Sequence, residues 1–258
     1  MTVELHFPNN KVTSAVSYLN NHFNEAKGLV YESDDKGTRT INGVDYSHNK
    51  TFWVYSDNLA TWALKPYEPQ TSQINQTIRS SALQPSRLFE VLFGKPIPSN
   101  ISTPVQLVLE QQSDGIIMVE IHNTSTPLLR DQYGDTLIYQ SLNEHLRGNR
   151  SEAEYYFYKA YQMWDGKGIN DLATLEDGAY ANYKLALVLY ASKVLGLAIP
   201  NYNRIEEKLW SMQQIDGGIT SLADMNGNPQ GSANAETTAL ALLPYNDKLI
   251  SKMRFPTP

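Results

Sequence analysis

The sequence contains no cysteine, which excludes disulfides, zinc–thiolate sites and cysteine nucleophiles. No run approaches the roughly 18 uninterrupted apolar residues of a membrane span. Basic charge is not in excess: 21 Lys and Arg stand against 27 Asp and Glu, a net charge of −6. Nucleic acid and anionic membranes want a basic stripe, so neither is an expected partner. There is no phosphate-cradling glycine loop, no nucleophile elbow and no HExxH zinc motif. The opening MTVELHF has no charged leader followed by an apolar run, so no signal peptide is predicted on this chain.

What is present is a soluble, globular composition, 41% hydrophobic and 19% charged, over 258 residues. That length suits one large domain or two small ones. Sixteen tyrosines and four tryptophans supply amphipathic rings, which build cores and also stack on sugars and other ligands. Asn-X-Ser/Thr sequons fall at Asn49, Asn75, Asn100, Asn123 and Asn149. Their excess over chance is weak support for an extracellular or cell-surface, glycan-bearing protein, and coincidence in an Asn-, Ser- and Thr-rich chain is the more favoured account.

The most informative pattern is a repeated module. A helix-patterned segment ends in a glycine turn with acidic and polar residues, and a second helix opens on small and acidic residues. It occurs as residues 23–33 (FNEAKGLVYES) leading to 55–64 (YSDNLATWAL). It returns as 163–173 (MWDGKGINDLA) leading to 180–190 (YANYKLALVLY), and as 213–223 (QQIDGGITSLA) leading to 234–243 (NAETTALALL). Apolar spacing and stop signals place outer helices at 12–26, 86–93, 151–164 and 202–214, with Pro85 at the start of the second. Inner helices fall at 57–65, 133–146, 179–195 and 233–243, more apolar all round. Residues 66–84 read as a long loop. Residues 105–110 and 116–121 read as a β-hairpin turning at Ser113-Asp114-Gly115, an insertion into the second repeat.

The phrases Gln214-Ile215-Asp216-Gly217-Gly218-Ile219 and Ala235-Glu236-Thr237-Thr238-Ala239-Leu240-Ala241-Leu242 resemble the helical hairpins of the α/α-toroid superfamily. That group includes six-hairpin glycosidases, polysaccharide lyases, terpenoid cyclases and protein prenyltransferases. The resemblance covers about thirty residues as wording and most of the chain as architecture. It implies an all-α fold: an incomplete α/α-toroid of about four helical hairpins, a single domain over 1–258 with a loop and β-hairpin insertion at about 95–130. It further implies that function sits where the inner-helix N-termini gather, an end that carries partial positive charge and unpaired N–H groups.

Glycoside cleavage needs two carboxyls, one protonated and one charged, flanking the sugar. Asp57, Asp135 and Glu236, each near the start of an inner helix, are the candidate catalytic acids. Glu32 and Asp216 in the turns, with Trp53, Tyr55, Tyr133, Trp164, Tyr180 and Tyr183, are candidate substrate contacts. Acids at these positions also serve as helix caps, and the rings as core. The resemblance admits other chemistries. A lyase would use Tyr183 with Asn182, or Tyr133, but a net acidic protein is a poor host for polyanionic sugars. The prenyltransferase zinc set requires a cysteine that is missing. Glu32-Ser33-Asp34-Asp35 only loosely echoes the acid of the class II cyclases. The turn Asp224-Met225-Asn226-Gly227-Asn228 alternates oxygen donors as a calcium loop does, without the terminal glutamate, and turn chemistry accounts for it. No metal and no cofactor is expected. The expected partner is an oligosaccharide or other small molecule. The alternative is a non-catalytic binding module, docking a protein through the 105–121 hairpin.

Overall fold

In the computed structural model, residues 9–41, 43–67, 71–80, 88–97, 102–112, 115–127 and 131–254 are described. Pro85, the Ser113-Asp114 pair and the sequon at Asn100 lie outside them.

The chain begins with α1 (Asn9–Asn21), then two short antiparallel pairs, β1 (Phe23–Asn24) with β2 (Leu29–Val30) and β3 (Thr38–Ile41) with β4 (Val44–Ser47). β5 (Thr51–Trp53) runs directly into α2 (Val54–Leu64), followed by α3 (Thr71–Ser80) and a 3-10 segment, Phe89–Phe93. Next come β6 (Ser102–Gln112), β7 (Gly115–Pro127), α4 (Gly134–Leu146), α5 (Arg150–Tyr161) and α6 (Leu172–Asp177). The chain closes with β8 (Ala179–Ala181), α7 (Tyr183–Leu195), α8 (Tyr202–Ser211), β9 (Ile219–Asp224), β10 (Pro229–Asn234), α9 (Ala235–Leu242) and α10 (Asp247–Arg254).

The all-α expectation is therefore wrong: the protein is mixed α/β, with small sheets between its helices. β7 is flanked by β5 in parallel and β6 antiparallel, so the expected hairpin exists but only β6 lies at its edge. β10, β9 and β8 form a second three-stranded sheet. The segments before α2, α7 and α9, read as glycine-containing turns, are largely these strands. The second outer helix reduces to one 3-10 segment, and 179–181, expected as the start of an inner helix, is strand β8. Within the expected 66–84 loop, residues 71–80 are helical because Ile74 and Ile78, one turn apart, are buried against α2 and β2.

The core is built around α2, α9, α7 and α4, which touch in that order. α7 (YKLALVLYASKVL) is rich in leucine and alanine and buried on almost every face, because α4, α5, α8, α9 and α10 all pack on it. Gly196, at φ +67°, ends it in the left-handed conformation that glycine adopts without strain. α8 is amphipathic and buries only Ile205, Leu209 and Trp210. Asn234 caps α9 by accepting from the Thr237 amide at 2.9 Å. Among the described residues no helix is long and apolar enough to cross a membrane.

The Asp216-Gly217-Gly218 turn shows why the glycines recur. Gly217 sits at φ +95° and Asp216 Oδ1 accepts from the Gly218 amide at 2.9 Å. A Cβ on Gly218 would lie 2.6 Å from that of Ala233 and clash with the ring edge of the buried Tyr18. Gly218→Ala is expected to lower stability by about 1–3 kcal/mol through overpacking, read as a lower urea midpoint with an unchanged m-value.

Candidate functional site

The first turns of α2, α4, α7 and α9 converge. Tyr55, near the start of α2, donates its hydroxyl to Glu236 Oε2 in the first turn of α9 at 3.1 Å. Tyr183, which opens α7, donates to Asp135 Oδ2 in the first turn of α4 at 2.7 Å. The two pairs are close enough for the charge of Asp135 to act on Glu236. The Tyr55 ring is held between Trp53, with centroids 5.5 Å apart, and Phe89, stacked at 5.1 Å; Phe89 in turn meets the Tyr139 ring edge to face.

Glu32 reaches this point from a different part of the chain. Its amide donates to the Thr51 carbonyl at 2.9 Å, and its own carbonyl accepts from the Ala235 amide at 2.7 Å. Ser33 Oγ donates to the Ala233 carbonyl at 2.8 Å. The strap is thereby pinned between the start of β5 and the start of α9, and it carries the Glu32 carboxyl to a position only 5% exposed. Glu32 Oε2 has no hydrogen-bond partner.

A cleft of about 430 Å³ opens here. Glu32, Asp35, Tyr46, Trp53, Tyr55 and Glu236 line it, and the β9–β10 hairpin forms the facing wall through Ser221, Leu222, Gly231, Ser232 and Asn234. Burial pushes the Glu236 carboxyl up to about 7; the Tyr55 hydroxyl opposes the shift and the charge of Asp135 adds to it. Glu32 is pushed well above the usual carboxylate range, first by burial and then by the neighbouring Glu236. Burial also holds Tyr55 and Tyr183 well above the ordinary phenol value, so both remain hydrogen-bond donors at neutral pH.

Of the residues singled out from the sequence, Glu236, Glu32, Tyr55 and Trp53 line the cleft. Asp135 and Tyr183 stand beside it, bonded to each other. Asp57 does not line it: the side chain is fully buried, Oδ1 accepts from the Val30 amide at 2.6 Å, and burial raises its pKa. Tyr133 precedes α4, where its carbonyl accepts from the Leu137 amide and its ring feels Glu176 and Asp171. Trp164 pairs in an isolated bridge with Ile169, and Tyr180 donates to Asp165 Oδ2 at 2.6 Å, securing the 165–168 turn. Asp216 is exposed in its own turn. Asn182 is buried and donates to the Thr220 carbonyl. These last residues support loops and do not reach the cleft.

Tyr46, Asn234 and the β9–β10 wall were not singled out. The Asn42-Gly43 dipeptide inside an alternating stretch was the available signal for a hairpin carrying Tyr46. The alternating Asp224–Asn228 segment is a hairpin turn: Asp224 Oδ1 accepts from the Asn226 and Asn228 amides at 2.9 and 2.8 Å. Those bonds hold its pKa below the ordinary value. Among the described residues no group of three or more His, Asp or Glu could hold a metal ion. Comparison with protein-family models, with curated proteins and with solved structures finds no match.

Proposed function

We propose that this cleft binds a carbohydrate and cleaves a glycosidic bond with Glu32 and Glu236. The observation that carries the reading is that two buried carboxyls, one bonded by the Tyr55 hydroxyl and one with an unpartnered oxygen, line one cleft with Trp53, Tyr46 and Tyr55. Glu32, raised well above the usual carboxylate range by burial and by the neighbouring Glu236, is assigned the proton and the role of general acid toward the leaving oxygen. Glu236, whose ionised form the Tyr55 hydroxyl favours, serves the anomeric carbon either directly as nucleophile or through a water. Trp53 and Tyr46 offer stacking surfaces for the ring. Asp135, held by Tyr183, modulates Glu236 without lining the cleft. Asp57 is given no chemical role, because its carboxyl is enclosed beneath the Val30 amide.

Glu32→Gln and Glu236→Gln, assayed singly on a panel of oligosaccharides beside the wild-type protein, test the assignment. Each is expected to lose about 10²–10⁴ in turnover, the usual contribution of a positioned acid or base. Wild-type turnover that survives both substitutions sinks the assignment. Saturable binding of a glycan without any turnover favours the non-catalytic binding module instead.

A further inference from the structure

The cleft has an unbalanced charge. Three of its lining residues are acids, Glu32, Asp35 and Glu236, and none is lysine, arginine or histidine among the described residues. Asp135 adds a further carboxyl just behind Glu236. Elsewhere the fold buries carboxyls in two ways. Asp57 is sealed away from any cleft with Oδ2 unpartnered and its proton retained by burial. Where a carboxylate is buried for structural reasons, at Asp171, a lysine is buried with it: Lys184 Nζ lies 2.6 Å from Asp171 Oδ2, with the two side chains 3% and 0% exposed. Glu32 is about as buried; the Ser56 hydroxyl and the Glu236 amide lie near its carboxyl, but its Oε2 forms no hydrogen bond. An orphaned, buried carboxyl oxygen in a cavity wall is a group whose partner comes from outside.

We propose that the ligand of this cleft carries a protonated amine and, resting on the glycoside reading above, that it is an oligosaccharide of unacetylated amino sugars. An ammonium offsets the charge of the ionised Glu236, which no cation of the cleft lining compensates, and donates to Glu32 Oε2, which accepts it while Glu32 keeps its proton on the other oxygen. Trp53 and Tyr46 line the same space, and aromatic rings attract a cation as well as a sugar ring. A neutral sugar fills the volume but brings no charge to pair with the acids, and an anionic sugar meets a lining that holds acids and no cation. Because an ammonium favours the ionised form of Glu236, binding releases its proton and tightens as pH rises through the Glu236 transition near 7, as long as the amine itself stays protonated.

The test is calorimetric binding of a glucosamine tetrasaccharide and of its fully N-acetylated counterpart to the whole protein, with hydrolysis of both followed in parallel. The expected result is at least tenfold tighter binding of the amino form at low ionic strength. That preference shrinks with added salt and falls severalfold in Glu32→Gln and in Asp35→Asn. Equal affinities, a preference for the N-acetylated form, or no binding of the amino form overturns the proposal. If a variant fails to fold, the two ligands and the salt series on the wild-type protein decide alone. The two readings fail separately. Hydrolysis without preference for the amine retains the glycosidase and removes the charge selectivity. Tight, salt-sensitive binding of the amino form without hydrolysis does the reverse.

Discussion

Glu236→Gln is expected to stabilise the protein above neutral pH while abolishing most of its turnover. A carboxyl with an ordinary value of 4.5 in the unfolded chain is raised to about 7 in the folded one. The folded state therefore binds the proton more tightly. Below about pH 4.5 both states are protonated and the group leaves stability unchanged. Between 4.5 and 7 the folded state loses ground as pH rises, and above 7 the penalty is complete, at most about 3.5 kcal/mol. Glutamine has no proton to lose and still accepts from the Tyr55 hydroxyl. Urea unfolding at pH 4.5 and at pH 8 should then show near-equal stability of variant and wild type at the lower value, and a gain for the variant at the higher. A difference that does not change with pH overturns the burial argument. The same substitution removes the group assigned to the anomeric carbon, so the expected loss of turnover, about 10²–10⁴, accompanies a gain in stability.

Lys184→Met is expected to cost about 3–5 kcal/mol, the opposite sign at a site only one residue from Tyr183. The methionine leaves Asp171 buried without its counter-ion. Asp171 cannot withdraw to solvent, because Oδ2 also accepts from the Gly134 amide at 2.7 Å and Oδ1 from the Thr174 amide at 3.2 Å. One carboxylate thus ties the N-terminus of α4, the cap of α6 and the first turn of α7. Adding Asp171→Asn should recover a large part of the loss, since asparagine removes the stranded charge and can still accept from Gly134. A double-mutant cycle on urea midpoints measures this coupling; additive losses would show that the pair is not a buried ion pair in solution. Gly134 and Lys184 each adjoin a member of the Asp135–Tyr183 bond, so the single variant should also shift the pH profile of Glu236 by moving Asp135.

The fold was legible where its signals are local. The starts of α2, α4, α7 and α9 lie within about four residues of the inner helices read from the sequence, because all-round apolar runs rich in leucine and alanine announce a buried helix within a few turns. The strands were not. β3 with β4 and β9 with β10 are short, half polar and interrupted by glycine, and they resemble loops until a partner is known. The Asn-Gly pairs at 42–43 and 226–227 were the overlooked evidence. The all-α expectation failed on these segments. It treated the connections as turns, and hydrogen bonding between those connections made them sheets.

The candidate site divides along the same line. By itself the sequence determined that the acids Asp57, Asp135 and Glu236 and the rings Tyr55 and Tyr183 would sit at the opening turns of buried helices, because helix boundaries are written in neighbouring residues. Only the tertiary structure decided which of them share a cavity. Asp57 and Glu236 both lie in the first turn of their helices, yet one is sealed beneath the Val30 amide and the other lines the cleft. Glu32 has no helix of its own to signal a role. Its burial depends on Thr51 at one end of the strap and on Ala233 and Ala235, some 200 residues away, at the other. Distance along the chain carries no information about such pairings, and desolvation, which separates an acid that caps a helix from one that holds a proton at neutral pH, exists only once the chain has closed around it.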